Sequence, residues 1–226
     1  MSWKDNAETP HKRKKLNNFF YDFVKITGAL PAWLLLRPKI ITTGKSKPQK
    51  IKGGALIVAN HISFLDPISV LLAFWRRRIR FLATKDLYKG RFMRFMFRNI
   101  HCIMVDKENF SVDTLHTAVE ALQSGQLVAI FPEGKVNLDD TSHILPFKTG
   151  AVMMANQGNA PIIPVCLIPK KHKFSRQVIV MGESIRIQDI CGENPPYREL
   201  KKVSVYLRDK EVELMRFYQE KYAKKK

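Results

Sequence analysis

"GALIVANHISFLDPISVLLAFW", Gly54 to Trp75, passes through strand, turn and helix within 22 residues. Ala55 to Ala59 is short, apolar and followed by turn formers, the composition of a strand buried on both faces. Asn60 to Leu65 has no period. Asp66-Pro67 then opens a second apolar run, and the expected reading is a helix with Asp66 as N-cap and Pro67 in its first turn.

The same succession recurs on either side. "KIITTG", "IRFLATK", "HCIMVD", "LVAIFPEG" and "APIIPVCLIP" read as strands, the third and fourth of them as core strands running into turns. Pro161 and Pro164 place the start of the last near an edge or a bend. "RQVIVMGESIRI" supplies two short strands or one bent one. Between them, Leu87–Asn99, "NFSVDTLHTAVEALQSGQ" and "FKTGAVMMANQG" have helical spacing, and from Arg198 the chain is mostly helical. This alternation predicts one α/β domain, a mixed and largely parallel sheet flanked by helices. The division expected is a basic arm and amphipathic segment over 1–38, then a domain with a C-terminal helix over 39–226.

The N-terminal segment decides a different matter. Leu16, Phe19, Phe20, Phe23, Ile26, Leu30, Trp33 and Leu34 fall on one face of a helix, with Tyr21, Asp22 and Lys25 elsewhere on the wheel. Pro31 is expected to kink or divide it. Such a stripe either packs on the protein's own core or lies on a membrane, and the basic "HKRKK" before it favours the membrane. Asp22, Lys25, Gly28 and Pro31 suit a spanning helix poorly.

The formal charge of +19 calls for an anionic partner, a lipid surface or a nucleic acid. From Arg76 to Arg98 there are nine Lys or Arg and one acid, with Arg91, Arg94 and Arg98 interleaved among Phe and Met. That pattern fits a basic amphipathic helix facing headgroups, and no recognised nucleic-acid motif accompanies it. Three widely spaced cysteines (Cys102, Cys166, Cys191) form neither a disulfide framework nor a zinc pattern, and a reducing cytoplasmic setting is expected.

Three strand ends carry candidate chemistry. His61 and Asp66 are five residues apart, wrong for one helical face and wrong in parity for one strand face. They meet only if His61 lies on the turn ahead of the helix. Asp66 then accepts from one imidazole nitrogen and leaves the other free as a base, suited to deprotonating an external hydroxyl. On spacing alone, a loop histidine beside a capped helix is the simpler reading. "FPEGK" is either a solvated turn or a place where Glu133 and Gly134 meet a polyol and Lys135 an anion. Lys107, in "VDKEN", is a second candidate for an anion. A nucleophile elbow, a Walker loop, a dinucleotide fingerprint and paired metal-ligand spacing are all missing from the sequence. Cys166 reads as a small core residue.

In order, these blocks resemble the glycerolipid acyltransferase family, which includes the 1-acylglycerol-3-phosphate acyltransferases. "NHISFLDP" matches its H-x-x-x-x-D block at His61 and Asp66, "CIMVDK" resembles its second block at Asp106 and Lys107, and Phe131–Gly134 matches F-P-E-G. "LPFKTGA" resembles the segment before the following helix, and "APIIPV" matches the fourth block at Pro161 and Pro164. The resemblance covers residues 40 to 190.

It implies a membrane-associated O-acyltransferase moving a fatty acyl group from acyl-CoA or acyl carrier protein to a lysophospholipid hydroxyl. His61 is the implied base and Asp66 its orienting partner. Ser63, Lys107, Glu133, Gly134, Lys135 and Pro164 are the implied substrate-binding positions. It implies no cofactor beyond the acyl donor, no metal and no nucleic acid, and it implies work at the cytoplasmic face of an anionic phospholipid membrane. Two departures bear on the acceptor: Lys107 stands where the second block often has Arg, and Lys135 where the third often continues with Thr. Lys keeps the charge and loses the bidentate fork. The alternatives left are a non-catalytic lipid-surface module of the same fold and, further off, a nucleic-acid binder.

Overall fold

The computed structural model describes residues 18–44, 48, 51–106, 111–170, 172 and 175–223. Lys107 and the basic arm lie outside the described residues. Seven strands form one sheet: β1 (Lys39–Thr42), β2 (Ala55–Ala59), β3 (Ile79–Thr84), β4 (Ile103–Val105), β5 (Leu127–Ile130), β6 (Ile162–Ile168) and β7 (Val178–Met181). Their spatial order is β1-β7-β6-β2-β5-β3-β4. Every neighbouring pair is parallel except β6 with β7.

Helices cover both faces: α1 (Asn18–Leu36), α2 (Asp66–Ala73), α3 (Arg91–Asn99), α4 (Val112–Gln123), α5 (Gly150–Gln157), the short α6 (Gln188–Cys191) and α7 (Tyr197–Tyr218). Side-chain alternation divides the strands between two cores. Leu56, Val58, Val128 and Ile162 pack under α4, α5 and α7. Ile57, Ala59, Ala129 and Val165 pack under α2 through Val70, Ala73 and Phe74. All five residues of β2 are buried, which explains an unbroken apolar run. Each fully buried Leu or Ile contributes about 1.5–3 kcal/mol.

The crossovers position the site. From β2 the chain passes through α2 to β3, on the far side of β5. From β5 it passes through α5, on the opposite face, to β6 on the far side of β2. The connections of two neighbouring strands thus leave in opposite directions, opening a crevice at their carboxyl ends. His61 follows β2 and Phe131 follows β5.

Several expectations need correction. β4 is an edge strand rather than a core strand, with Met104 facing out; apolar composition does not count a strand's neighbours. β6 is an interior strand, so of the edge and the bend offered for its prolines the bend holds, as a bulge opposite Pro164. Ile162 bridges Ile185 and Val165 bridges Met181, so three residues, 182–184, stand opposite Ile163 and Pro164. Pro164 accepts from Gly182 N–H there, and its missing donor is not called on. The helix expected over Leu87–Asn99 starts only at Arg91, after a 3₁₀ turn (Lys85–Tyr88) and Gly90 at φ +87°. α1 runs unbroken through Pro31.

Of the two placements open to the α1 stripe, packing on the protein's own core is not the one adopted. Its polar residues dock on the domain: Tyr21 Oη donates to Ile79 O and accepts from Ile79 N, Asp22 takes the Arg78 guanidinium in a fork, and Lys25 donates to Arg77 O. Its apolar stripe points outward, with Phe19 78%, Ile26 66% and Leu30 66% exposed. The 19-residue helix is long and apolar enough to cross a membrane. Phe20 meets Phe95 of α3 edge-on at 5.2 Å, which joins the stripe to the exposed Arg91, Phe92, Arg94 and Phe95.

Candidate active site

β2 ends at Ala59, and Asn60 extends its pairing with β6 by side chain: Nδ2 donates to Leu167 O at 3.0 Å and Oδ1 accepts from Leu167 N at 2.7 Å. The next residue, His61, is held by both of its main-chain groups. Its N–H donates to Glu133 Oε1 at 2.9 Å, and its carbonyl accepts from Asn137 N at 2.7 Å. The imidazole lies against the Phe131 ring, 4.2 Å between centroids and 20° from parallel.

Asp66 is the first residue of α2 and not its N-cap; Leu65 takes that place. The carboxylate turns back from the helix onto the preceding loop. Its Oδ2 accepts from Ile62 N and Ser63 N, each at 2.7 Å, and meets His61 Nδ1 at 2.8 Å. Asp66 is 1% exposed, and Oδ1 has no partner among the described residues. An ionised carboxylate only accepts, so Nδ1 carries the proton and Nε2 presents a lone pair. Pro67 removes one N–H that the uncapped helix start would otherwise leave unpaired.

Glu133 is buried rather than solvated. Oε1 serves His61 N, and Oε2 accepts from Leu145 N at 3.3 Å. Burial raises its pKa, and the two backbone donors work against that rise. Gly134 sits at φ +74°, and a Cβ there would lie 3.0 Å from Lys148 Cε and 3.1 Å from Nζ, so the turn requires glycine and places Lys148 over it.

The structure therefore gathers His61, Asp66, Glu133 and Gly134. Ser63 sits on the same loop, its Oγ accepting from Leu65 N. Lys135 is exposed on the next position of the turn. Pro164 is buried within β6, next to β2 in the sheet. Asp106, at the end of β4, pairs with Lys85. Burial pushes the Cys166 thiol up, as suits a core residue. Phe131, Asn137 and Lys148 received no role from the sequence. Phe131 and Lys148 stand inside quoted motifs, and their adjacency to matched residues was the available signal.

The chain matches the family model described as Acyltransferase over residues 39–168. It is 32% identical over 143 residues to the 1-acyl-sn-glycerol-3-phosphate acyltransferase of Bacillus subtilis, covering 61% of this chain and 70% of the relative. It is 30% identical over 154 residues to a probable 1-acyl-sn-glycerol-3-phosphate acyltransferase of Mycoplasma genitalium, covering 65% of this chain and 55% of the relative. Against several such relatives the chain spans about half their length, 48% for that of Mycoplasma pneumoniae. The crystal structure of the 1-acyl-sn-glycerophosphate (LPA) acyltransferase from Thermotoga maritima superposes with a TM-score of 0.58 over 85% of this chain and 78% of that one. At 24% identity the superposition attests the fold alone. The matched region holds His61, Asp66 and the Phe131–Gly134 turn together, and the chain belongs to this family of acyltransferase enzymes.

Proposed function

We propose that the chain transfers a fatty acyl group from a thioester donor, acyl-CoA or acyl carrier protein, to the free hydroxyl of 1-acylglycerol-3-phosphate, giving phosphatidic acid. The observation that carries the reading is the His61–Asp66 pair, 2.8 Å apart, at the switch-point crevice. Asp66 fixes the tautomer, and Nε2 takes the proton from the acceptor hydroxyl as its oxygen attacks the thioester carbonyl. The tetrahedral intermediate collapses, the C–S bond breaks, and the thiolate leaves with the proton that His61 returns. Ser, Cys or Thr nucleophiles are not needed, since the acceptor is itself the nucleophile.

Glu133 acts here by holding the His61 backbone. Lys135 and Lys148, beside Gly134, are the cations placed for an acidic headgroup, with Lys107 a third candidate. The names of the relatives support 1-acylglycerol-3-phosphate as the acceptor. The outward stripe of α1, joined to the Arg and Phe of α3, supports docking on an anionic membrane at its cytoplasmic face.

The test is incubation of the purified chain with long-chain acyl-CoA or acyl carrier protein and a panel of lysolipids, following thiol release and lipid product. Acceptor-dependent phosphatidic acid is expected. Thiol release that ignores the acceptor, or no product with either donor, sinks the reading. Replacing outward Phe23 and Leu30 by Ser removes about 3 kcal/mol of apolar transfer, about a hundredfold in partition to anionic vesicles, with little change in thermal midpoint. Unchanged flotation removes α1 from the membrane-facing surface.

A further inference from the structure

From Phe131 to Thr149 the chain forms neither helix nor strand. A structureless connection longer than about 12–15 residues is uncommon in a compact domain and usually carries function. This one is closed at its neck, where Lys148 N donates to Pro132 O at 2.9 Å. It is also fastened to α7: Ile144 is buried in the cluster of Leu214 and Met215, and the Arg208 Nε–H donates to Ile144 O at 3.0 Å.

Asn137 stands inside this loop and is 6% exposed. Its main-chain N–H donates to His61 O at 2.7 Å. Its side chain serves the loop itself. Nδ2 donates to Asp140 O at 2.6 Å and to His143 O at 2.9 Å, and Oδ1 accepts from Asp140 N at 3.3 Å. Carbonyls only accept, so the amide fits one way round, with both of its hydrogens used. Two residues beyond His143, Leu145 N donates to Glu133 Oε2, and Glu133 Oε1 accepts from His61 N. The circuit is closed: one loop takes the N–H of His61 through Glu133 and its carbonyl through Asn137. Asp66 fixes which way the imidazole faces, and the loop fixes where its main chain stands.

We propose that Asn137 is a positioning residue for acyl transfer. Its amide folds the loop into the shape that presents its own N–H to His61 O and Leu145 N to Glu133. That sets the place from which Nε2 meets the acceptor hydroxyl. Asn137 itself touches no reacting atom. The His143 imidazole has no part in this, since Asn137 uses only the His143 carbonyl. The inference rests on the reading of His61 as base.

Asn137→Ala keeps the main-chain N–H and loses the three side-chain bonds. Its kcat should fall about tenfold with KM within about twofold, because a displaced base loses rate and not affinity. Asn137→Asp has nearly the same shape but turns lone pairs on two carbonyls, and should be no better than Ala. The thermal midpoint of Asn137→Ala should drop by about 2–4 °C. Ile79→Val is the control. Ile79 is fully buried at the amino end of β3, whereas His61 follows the carboxyl end of β2. That variant should lower the midpoint comparably and leave kcat within about twofold. In the His61→Ala background the base is gone, and adding Asn137→Ala should change the residual single-turnover rate by less than about twofold. Amide exchange gives a readout independent of turnover. Over residues 60–66 it should quicken at least about tenfold in Asn137→Ala and stay parental in Ile79→Val.

An Asn137→Ala variant with parental kcat overturns the proposal. So does a further tenfold loss in the His61→Ala background, or unchanged exchange over 60–66. If His61→Ala leaves no measurable rate, Asn137→Ala against Ile79→Val decides by kcat and exchange together. If the Ala variant does not fold, Asn137→Ser, which keeps one donor, takes its place, with a kcat loss of at least about threefold expected and parental kcat again overturning the proposal. A parent chain without acyl transfer defeats the proposed function instead, and the exchange series still reports whether Asn137 holds the His61 turn.

Discussion

Two histidines among the described residues meet a carboxylate by Nδ1, and the two pairs are built differently. His143 meets Asp140 at 2.5 Å, three residues away, with their side chains 74% and 55% exposed. His61 meets Asp66 at 2.8 Å, across a turn and into a helix. Distance alone would favour the first pair. The second differs in what surrounds it. Asp66 Oδ2 is also claimed by two backbone amides, and the imidazole is pressed on Phe131. The Asp140 carboxylate instead takes the Ser142 hydroxyl and N–H, which hold its pKa below the usual carboxylate range more than His143 does. Solvent screens such a pair, and both side chains can leave it. Asn137 ties the two regions together, giving N–H to His61 O and its side-chain amide to Asp140 O and His143 O. The lesson is that orientation comes from burial and from the other donors on the same oxygen, and not from the His–Asp contact itself.

The contrast can be broken in three places. His61→Ala should lower kcat by about 10²–10⁴, with circular dichroism unchanged, since the ring is partly exposed. Undiminished acyl transfer would remove the base. Asp66→Asn should cost about 10- to 100-fold in kcat by freeing the tautomer. It should also cost about 1.5–3 kcal/mol in denaturant melts, because the buried oxygen loses charge-assisted bonds from Ile62 N and Ser63 N. His143→Ala should leave kcat within about twofold and stability within about 0.5 kcal/mol. A larger loss of activity there would mean that the Asn137 loop transmits to the site, and the two pairs would no longer be independent.

Much of this was legible in advance. The strands and their alternation with helices follow from apolar runs and turn residues, because those patterns report burial directly. The meeting of His61 with Asp66 came from the resemblance of the ordered blocks, since spacing alone favoured a loop histidine beside a capped helix. What stayed hidden depends on neighbours. The α1 stripe demands an apolar surface without saying whose. Met104 on β4 looks like a core residue because an edge strand uses the same alphabet as a central one. Asp66 before a proline reads as a cap, and only the turn geometry shows its carboxylate pointing backward. Glu211, set in "RDKEVEL", reads as one more charge on a solvated helix, and its burial follows from the strands that α7 covers.

α1 is fastened by a guanidinium–carboxylate fork, an ammonium and a phenol, and it offers hydrocarbon to its surroundings. Ionic strength therefore acts on its two sides in opposite senses. Added salt screens the exposed Asp22–Arg78 fork and loosens the helix from β3, while a strongly hydrated salt such as sulfate drives its outer face harder against any apolar surface. Amide exchange over α1 should quicken with ionic strength in the lipid-free chain and not in the vesicle-bound one. The same helix is thus strapped to the domain most firmly in dilute buffer.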